Sequence, residues 1–164
     1  MVAADHDPVM DGIAAELPRL WRYGLLLSGN RHTAEDLVQA TCVRALERRH
    51  QFQAGTRLDR WLIAILRSVW LNHIRAQKVR EGQGLVDAET ALVFDGLKQT
   101  EANILAAEVL RHVLGLPEAQ REAVYLVYVE GYTYSEAADA LGIPKGTVMS
   151  RLAAARSRLG GLGT

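Results

Sequence analysis

The chain has one cysteine, Cys42, in 164 residues. No internal disulfide can form, which excludes a disulfide-stapled secreted scaffold and points to a reducing, cytoplasmic setting. Long apolar runs are missing too. The stretch around Leu25 and Leu27 is broken by arginine or polar residues within a few positions, so no membrane insertion is expected. The N-terminus is acidic rather than basic and then apolar, unlike a signal peptide. Net charge of one sign is also lacking: the formal charge is zero. The five histidines, His6, His32, His50, His73 and His112, show no metal-ligand spacing. Gly82 and Gly84 lack the rest of a dinucleotide fingerprint and no strand precedes them. No catalytic residue, metal site, cofactor or small-molecule substrate is therefore expected, and Cys42 reads as a core residue on a helix stripe.

The charges that are present are segregated. Residues 1–18 hold four acids and no base, and residues 19–80 hold twelve Arg or Lys against four acids. Residues 81–110 hold one Lys against six acids, and residues 111–164 hold six bases against five acids. A basic first module is thus joined through an acidic segment to a near-neutral second one. Such asymmetry suits a polyanionic partner for the basic part, although a solvated helical surface would look similar.

Helical periodicity dominates, and no run alternates as a strand would. The pattern predicts a helix over residues 13–27 that stops near Gly29, with Pro18 either kinking it or marking its first turn. Thr33 and Asp36 have capping-box spacing and predict a second helix reaching about His50. Its apolar positions are Leu37, Val38, Cys42, Val43 and Leu46, with Ala45. Residues 53–56 read as a loop and residues 58–79 as a third helix. Residues 80–100 contain three glycines and weak periodicity, and read as a linker. Helical pattern resumes over 101–114. Pro117 suits the first turn of a helix reaching Glu130, and Gly131 suits a left-handed stop.

The most informative stretch is TYSEAADALGIPKGTVMSRL at residues 133–152. Thr133 and Glu136 fit a capping box. Ala138 is small where two helices must approach. Gly142 stands where a tight turn needs positive φ. Leu141, Ile143, Val148 and Leu152 can close a small core. These features predict a helix-turn-helix over 134–141 and 145–159. Its second helix would present Lys145, Thr147, Ser150, Arg151, Arg156 and Arg158 to duplex DNA, with side chains shared between base edges and phosphates. An αα-hairpin that merely packs is the plainer alternative.

Read whole, the chain resembles the extracytoplasmic-function sigma factors of bacterial RNA polymerase. The resemblance is carried by AEDLVQATCVRAL at 34–46, RWLIAILR at 60–67, NHIR at 72–75, LPEAQREAV at 116–124 and the helix-turn-helix. The wording of residues 44–61 looks like the branch that includes general-stress sigma factors. The resemblance implies an all-α fold of two small helical domains on a flexible linker. Residues 10–80 would be sigma region 2, which binds core polymerase and recognises and melts the −10 element. Residues 81–100 would be the acidic linker. Residues 101–160 would be sigma region 4, whose helix-turn-helix reads the −35 element.

The resemblance also implies roles for individual residues. Glu35, Asp36 and Gln39 fall where the family docks the polymerase clamp helices; Asp36 and Gln39 lie three apart on one helical face. The loop at 50–59 and the helix after it fall where the family captures a non-template base. There Arg60, Arg67, Trp70, Asn72, Arg75 and Lys78 mix an aromatic face with cations, as single-strand binding requires. Trp61 reads as core. Ser68 stands where the family often has Asn, and Ala153 and Ala154 stand where a basic residue is common. The implied partners are core RNA polymerase, promoter DNA and an inhibiting anti-sigma factor. Two rival readings are a sigma-like decoy that sequesters an anti-sigma factor and a helix-turn-helix repressor with a helical sensor domain.

Overall fold

The computed structural model describes residues 6–83 and 101–160; for residues 101–107 it describes the backbone alone. Every regular element among the described residues is helical. The chain divides into two compact units, within Met1–Ala91 and Leu92–Thr164.

The first unit is a three-helix packing of α1 (Pro8–Ser28), α2 (Arg31–Glu47) and α3 (Leu58–Gly82). Helix α1 begins five residues earlier than the apolar pattern predicts. Asp7 caps it, accepting from the Val9 and Met10 amides at 3.0 and 3.2 Å. Pro8 then occupies the first turn, where its missing N–H costs nothing. Pro18 lies inside the helix and is neither its first turn nor its end. Gly29, at φ 65°, closes it by donating to the Leu25 carbonyl at 2.8 Å.

Helix α2 is capped by Asn30 rather than by Thr33. The Asn30 side chain accepts from the Thr33 amide at 2.9 Å, so Thr33 becomes the third helical residue. This shift releases Asp36 from any capping role. The helix ends at Glu47, and residues up to Gln51 form a 3-10 turn (Arg49–Gln51) instead of continuing it. Ala34, Leu37, Thr41 and Ala45 are its buried positions. Thr41 tolerates burial because its hydroxyl donates to the Leu37 carbonyl at 2.7 Å. Cys42 is only half-buried, beside the stripe rather than on it.

Tyr23, Leu20, Leu27, Leu62 and Leu66 are the large side chains closed off from solvent in this unit. Each such leucine contributes on the order of 2 kcal/mol by leaving water. At Gly24 α1 runs close to α2: an added Cβ would meet the Ala34 carbonyl oxygen at 3.4 Å, an ordinary contact distance.

The second unit holds α4 (Glu101–Leu114), α5 (Glu118–Val124), α6 (Tyr134–Leu141) and α7 (Lys145–Gly160). Pro117 is the residue before α5, not its first turn. The expected helix to Glu130 runs on past Val124, but as a π-helical turn, Tyr125–Val129, in which the Glu130 amide donates to the Tyr125 carbonyl at 3.0 Å. Arg121 helps close the preceding joint by donating to the Leu114 carbonyl at 3.4 Å. Leu126, Val148, Leu152 and Ala155 are fully buried, with Ala137, Ala138 and Leu141 beside them.

Of the expected linker at 81–100, residues 81 and 82 belong to α3 and residue 83 to its terminal turn. Residues 84–100 lie outside the described residues.

Candidate nucleic-acid interface

The helix-turn-helix is built by reciprocal local bonds. Thr133 Oγ1 accepts from the Glu136 amide at 3.1 Å, and Glu136 Oε2 accepts from the Thr133 amide at 2.7 Å. The far end of α6 closes on Gly142, at φ 64°. The Ile143 amide donates to the Ala138 carbonyl and the Gly142 amide to the Asp139 carbonyl, at 3.1 and 3.3 Å. This paired C-terminal motif needs a left-handed residue at 142, which glycine supplies without steric cost. Helix α7 is therefore aimed by a rigid corner.

Along α7, Val148, Leu152 and Ala155 face the core. Lys145, Ser150 and Arg158 are exposed. Thr147 and Arg151 are half-buried on its flank rather than fully presented. Arg156 is exposed but engaged: its Nη1 donates to the Tyr128 hydroxyl at 2.7 Å. Its guanidinium is thus partly directed at the protein. Reading the second helix by itself misses this, because the acceptor lies 28 positions upstream. It also passes over Met149, an exposed apolar side chain on the outward stripe with Gly146 and Ala153. Its spacing from them, three and four residues, was the available signal.

On α3, Arg60 and Arg67 are half-buried while Asn72, Arg75 and Lys78 are exposed. At 100° per residue, Arg60, Arg67, Arg75 and Lys78 fall within an arc of about 80°, and the stripe runs about 27 Å along the helix. Asn72 lies further round and accepts from Arg75 Nη1 at 3.4 Å. Trp70 does not join this stripe. It follows Leu62 and Leu66 on the buried side and is 8% exposed, with the His73 ring stacked on it at 5.5 Å. It is unavailable as an open stacking platform. Trp61, expected in the core, is instead half-buried and packs on Phe52 with ring centroids 5.2 Å apart. Phe52 opens the loop at 52–57, so this pair stands at the foot of the loop. The sequence offered Phe52 no periodic neighbours that would single it out.

On α2, Glu35, Asp36 and Gln39 are all exposed, on the side opposite Ala34, Leu37, Thr41 and Ala45. Glu35 and Asp36 face Arg31 and His32, each at 3.5 Å. Val43 continues this face as an exposed apolar side chain.

Nothing else in the described residues competes as a chemical site. No group of three or more His, Cys, Asp or Glu among them could hold a metal. Burial pushes the Cys42 thiol up, away from the reactive thiolate. No helix among them is long and apolar enough to cross a membrane.

Comparison with known proteins fits both units. Residues 13–80 match the family model for Sigma-70 region 2, and residues 106–159 match that for Sigma-70, region 4. The sigma factor EcfG of Rhodopseudomonas palustris (strain TIE-1) is 36% identical over 156 residues, covering 95% of this chain and 85% of that protein. SigC of Mycobacterium tuberculosis (strain CDC 1551 / Oshkosh) is 34% identical over 147 residues, covering 90% and 78%. Among solved structures, the sigma factor RpoE of Bartonella quintana, determined in complex with the anti-sigma factor NepR, matches with a TM-score of 0.76. Its sequence identity is 28%, over 96% of this chain and 97% of that one. The chain belongs to the extracytoplasmic-function sigma factors of RNA polymerase.

Proposed function

We propose that the two units divide promoter recognition between them, within a subunit that supplies selectivity and leaves the chemistry to core RNA polymerase. Residues 10–80 would bind core polymerase and the melted −10 element, and residues 101–160 the −35 duplex, with 81–100 as the connection. The observation that carries this reading is the corner at Gly142 behind a helix whose outward face holds Lys145, Met149 and Ser150. A fixed corner gives a recognition helix a defined entry into the major groove. Lys145 and Arg158 supply phosphate contacts, Ser150 and Arg151 polar contacts to bases, and Met149 an apolar surface for a thymine methyl.

In the first unit, the stripe of Arg60, Arg67, Arg75 and Lys78 tracks a single-stranded backbone, and the Phe52–Trp61 pair marks where an extruded base is received. Glu35, Asp36, Gln39 and Val43 form the face offered to polymerase. The chain acts where polymerase does, in the cytoplasm. An anti-sigma factor holds it inactive, a reading supported by the Bartonella quintana RpoE–NepR complex.

The test is reconstitution. Core polymerase loaded with the full chain is given a genomic template pool. Initiation at a defined set of promoters is expected; no transcript above core polymerase alone sinks the reading. Tight duplex binding without polymerase would instead favour a repressor.

A further inference from the structure

The loop at 52–57 has little structure of its own to hold it. Residues 53–57 are exposed, Gly55 sits at φ 84°, and the internal bonds run from Thr56 to the Gln53 carbonyl, through its hydroxyl at 2.6 Å and its amide at 3.2 Å. Its two flanks, however, are both pinned to α1. Before the loop, Arg49 Nε lies 3.0 Å from Asp7, the residue that caps α1. After it, Asp59 Oδ2 receives Arg19 Nη1 of α1 at 2.7 Å and Arg57 Nη2 from the last loop residue at 2.7 Å. The Asp59 side chain is 11% exposed, and Arg19 is further oriented by Glu16 at 3.0 Å. Between these pins, α1 and α3 press together at Gly12, where an added Cβ would lie 2.6 Å from Leu58 Cδ2.

Two charged links at the two flanks, with a tight helix contact between them, are more than α1 needs to pack. Apolar burial of Leu20 and Tyr23 already does that. What the ion pairs add is a fixed separation and orientation of the loop's ends. A short loop with fixed ends has few conformations to choose from. Selection of one base over another depends on such fixity, because a displacement of about 1 Å is enough to lose a directional contact.

We propose that α1 is the frame of the base-reading loop, with Asp59 and Arg19 as positioning residues on one side and Asp7 and Arg49 on the other. This rests on the reading of residues 52–57 as the loop that receives a non-template base. These residues do not touch the DNA. They set −10 selectivity by holding the loop's ends. Arg57 serves twice, as loop residue and as second cation on the Asp59 carboxylate.

The test uses full-length chain with core polymerase and the strongest promoter recovered from the genomic pool, its −10 positions randomised. Sequencing the initiated transcripts gives the preference for each base. Arg19→Gln and Asp59→Asn should each flatten the preference at one −10 position on the order of tenfold. The double variant should be no worse than Asp59→Asn alone, which already removes the Arg19 link together with that of Arg57. Arg19→Lys, which keeps the charge, should recover part of the preference. Asp7→Asn keeps the helix cap and loses the pair with Arg49, and should flatten the same position less. A −35 footprint run alongside should not change in any of them, whereas general unfolding would weaken both readouts.

A further variant replaces residues 53–56 by glycine and serine. If this loop variant loses the preference while Arg19→Gln and Asp59→Asn keep it, the frame is overturned and the loop reading stands. If the loop variant itself keeps the preference, the loop reading falls and the frame with it.

Discussion

Tyr128 and Arg156 are joined by a hydrogen bond of 2.7 Å from the guanidinium to the phenol oxygen. The bond links the π-helical turn to the C-terminal half of α7, so a cation on the outer part of this helix is partly used within the protein. Tyr128→Phe removes the acceptor and leaves the ring. The salt dependence of promoter binding by the holoenzyme should then steepen by up to about 0.9 in log–log slope, as Arg156, with the Tyr134 hydroxyl still beside it, turns more readily to a phosphate. A salt titration of the two holoenzymes measures this. Unchanged slopes would mean that Arg156 meets the backbone equally well with Tyr128 in place.

Arg151 and Lys145 should behave differently from each other. Arg151 is half-buried on the helix flank, which limits its rotamers and suits a directional contact. Arg151→Ala should cost about 1–3 kcal/mol at the preferred −35 sequence and relax selectivity at one base position. Lys145→Ala should weaken all sequences alike. Competition binding against a panel of −35 variants distinguishes the two. A uniform loss from Arg151→Ala would move it to the phosphate contacts.

The capping box makes a stability prediction confined to one unit. Thr133→Ala should destabilise the second unit by about 1 kcal/mol, because the Glu136 amide loses its acceptor. Gly142→Ala should cost a similar amount, about 1 kcal/mol, by forcing a Cβ into the left-handed region. All three tryptophans, Trp21, Trp61 and Trp70, lie in the first unit. Denaturant unfolding followed by tryptophan fluorescence should therefore not move, while amide exchange across α6 and α7 should accelerate. A shift in the fluorescence midpoint would show that the units unfold together.

Asp59 gives a pH dependence with a definite sign. Burial on its own would raise its carboxyl. Hydrogen bonds from Arg57 and from the Arg60 amide, with the charges of Arg57 and Arg19, outweigh that and hold it below the usual carboxylate value. A depressed native value means that the stabilisation is present at neutral pH. It fades as pH falls below the ordinary aspartate value of about 3.9 and is gone below the native one. Fluorescence-detected unfolding of wild type and Asp59→Asn should therefore differ at pH 7 and converge in acid. A constant difference down to the acid limit would exclude an ionised Asp59 as its source.

The parts of the fold that could be read from sequence are those determined by neighbours a few residues apart. Thr133, Glu136 and Gly142 announce α6 because a cap and a left-handed stop are local events. The start of α1 is not legible in the periodicity because Asp7 and Pro8 precede the apolar pattern, and Val9, although fully buried, stands apart from the apolar run that begins at Ile13. Thr33 misled because Asn30, three residues before it, is an equally good cap and takes the Thr33 amide for itself. The two tryptophans of α3 exchanged roles for a different reason. Periodicity marks both as apolar, but the interior covers Trp70 and leaves Trp61 half-buried against Phe52. Long-range links such as Arg156 to Tyr128 or Arg19 to Asp59 leave no local pattern at all, and these change the meaning of the charged residues most.

The π-helical turn at Tyr125–Val129 has a consequence for how this unit tolerates change in chain length. Closing a turn over five residues in place of four takes up one residue without adding a turn. Deleting one residue there would restore ordinary winding and swing Tyr128 by about 100° about the helix axis, off the Arg156 side. The turn is thus an indexing step: one residue more or less in it resets which side chains face α7, while α6, Gly142 and α7 keep their own geometry.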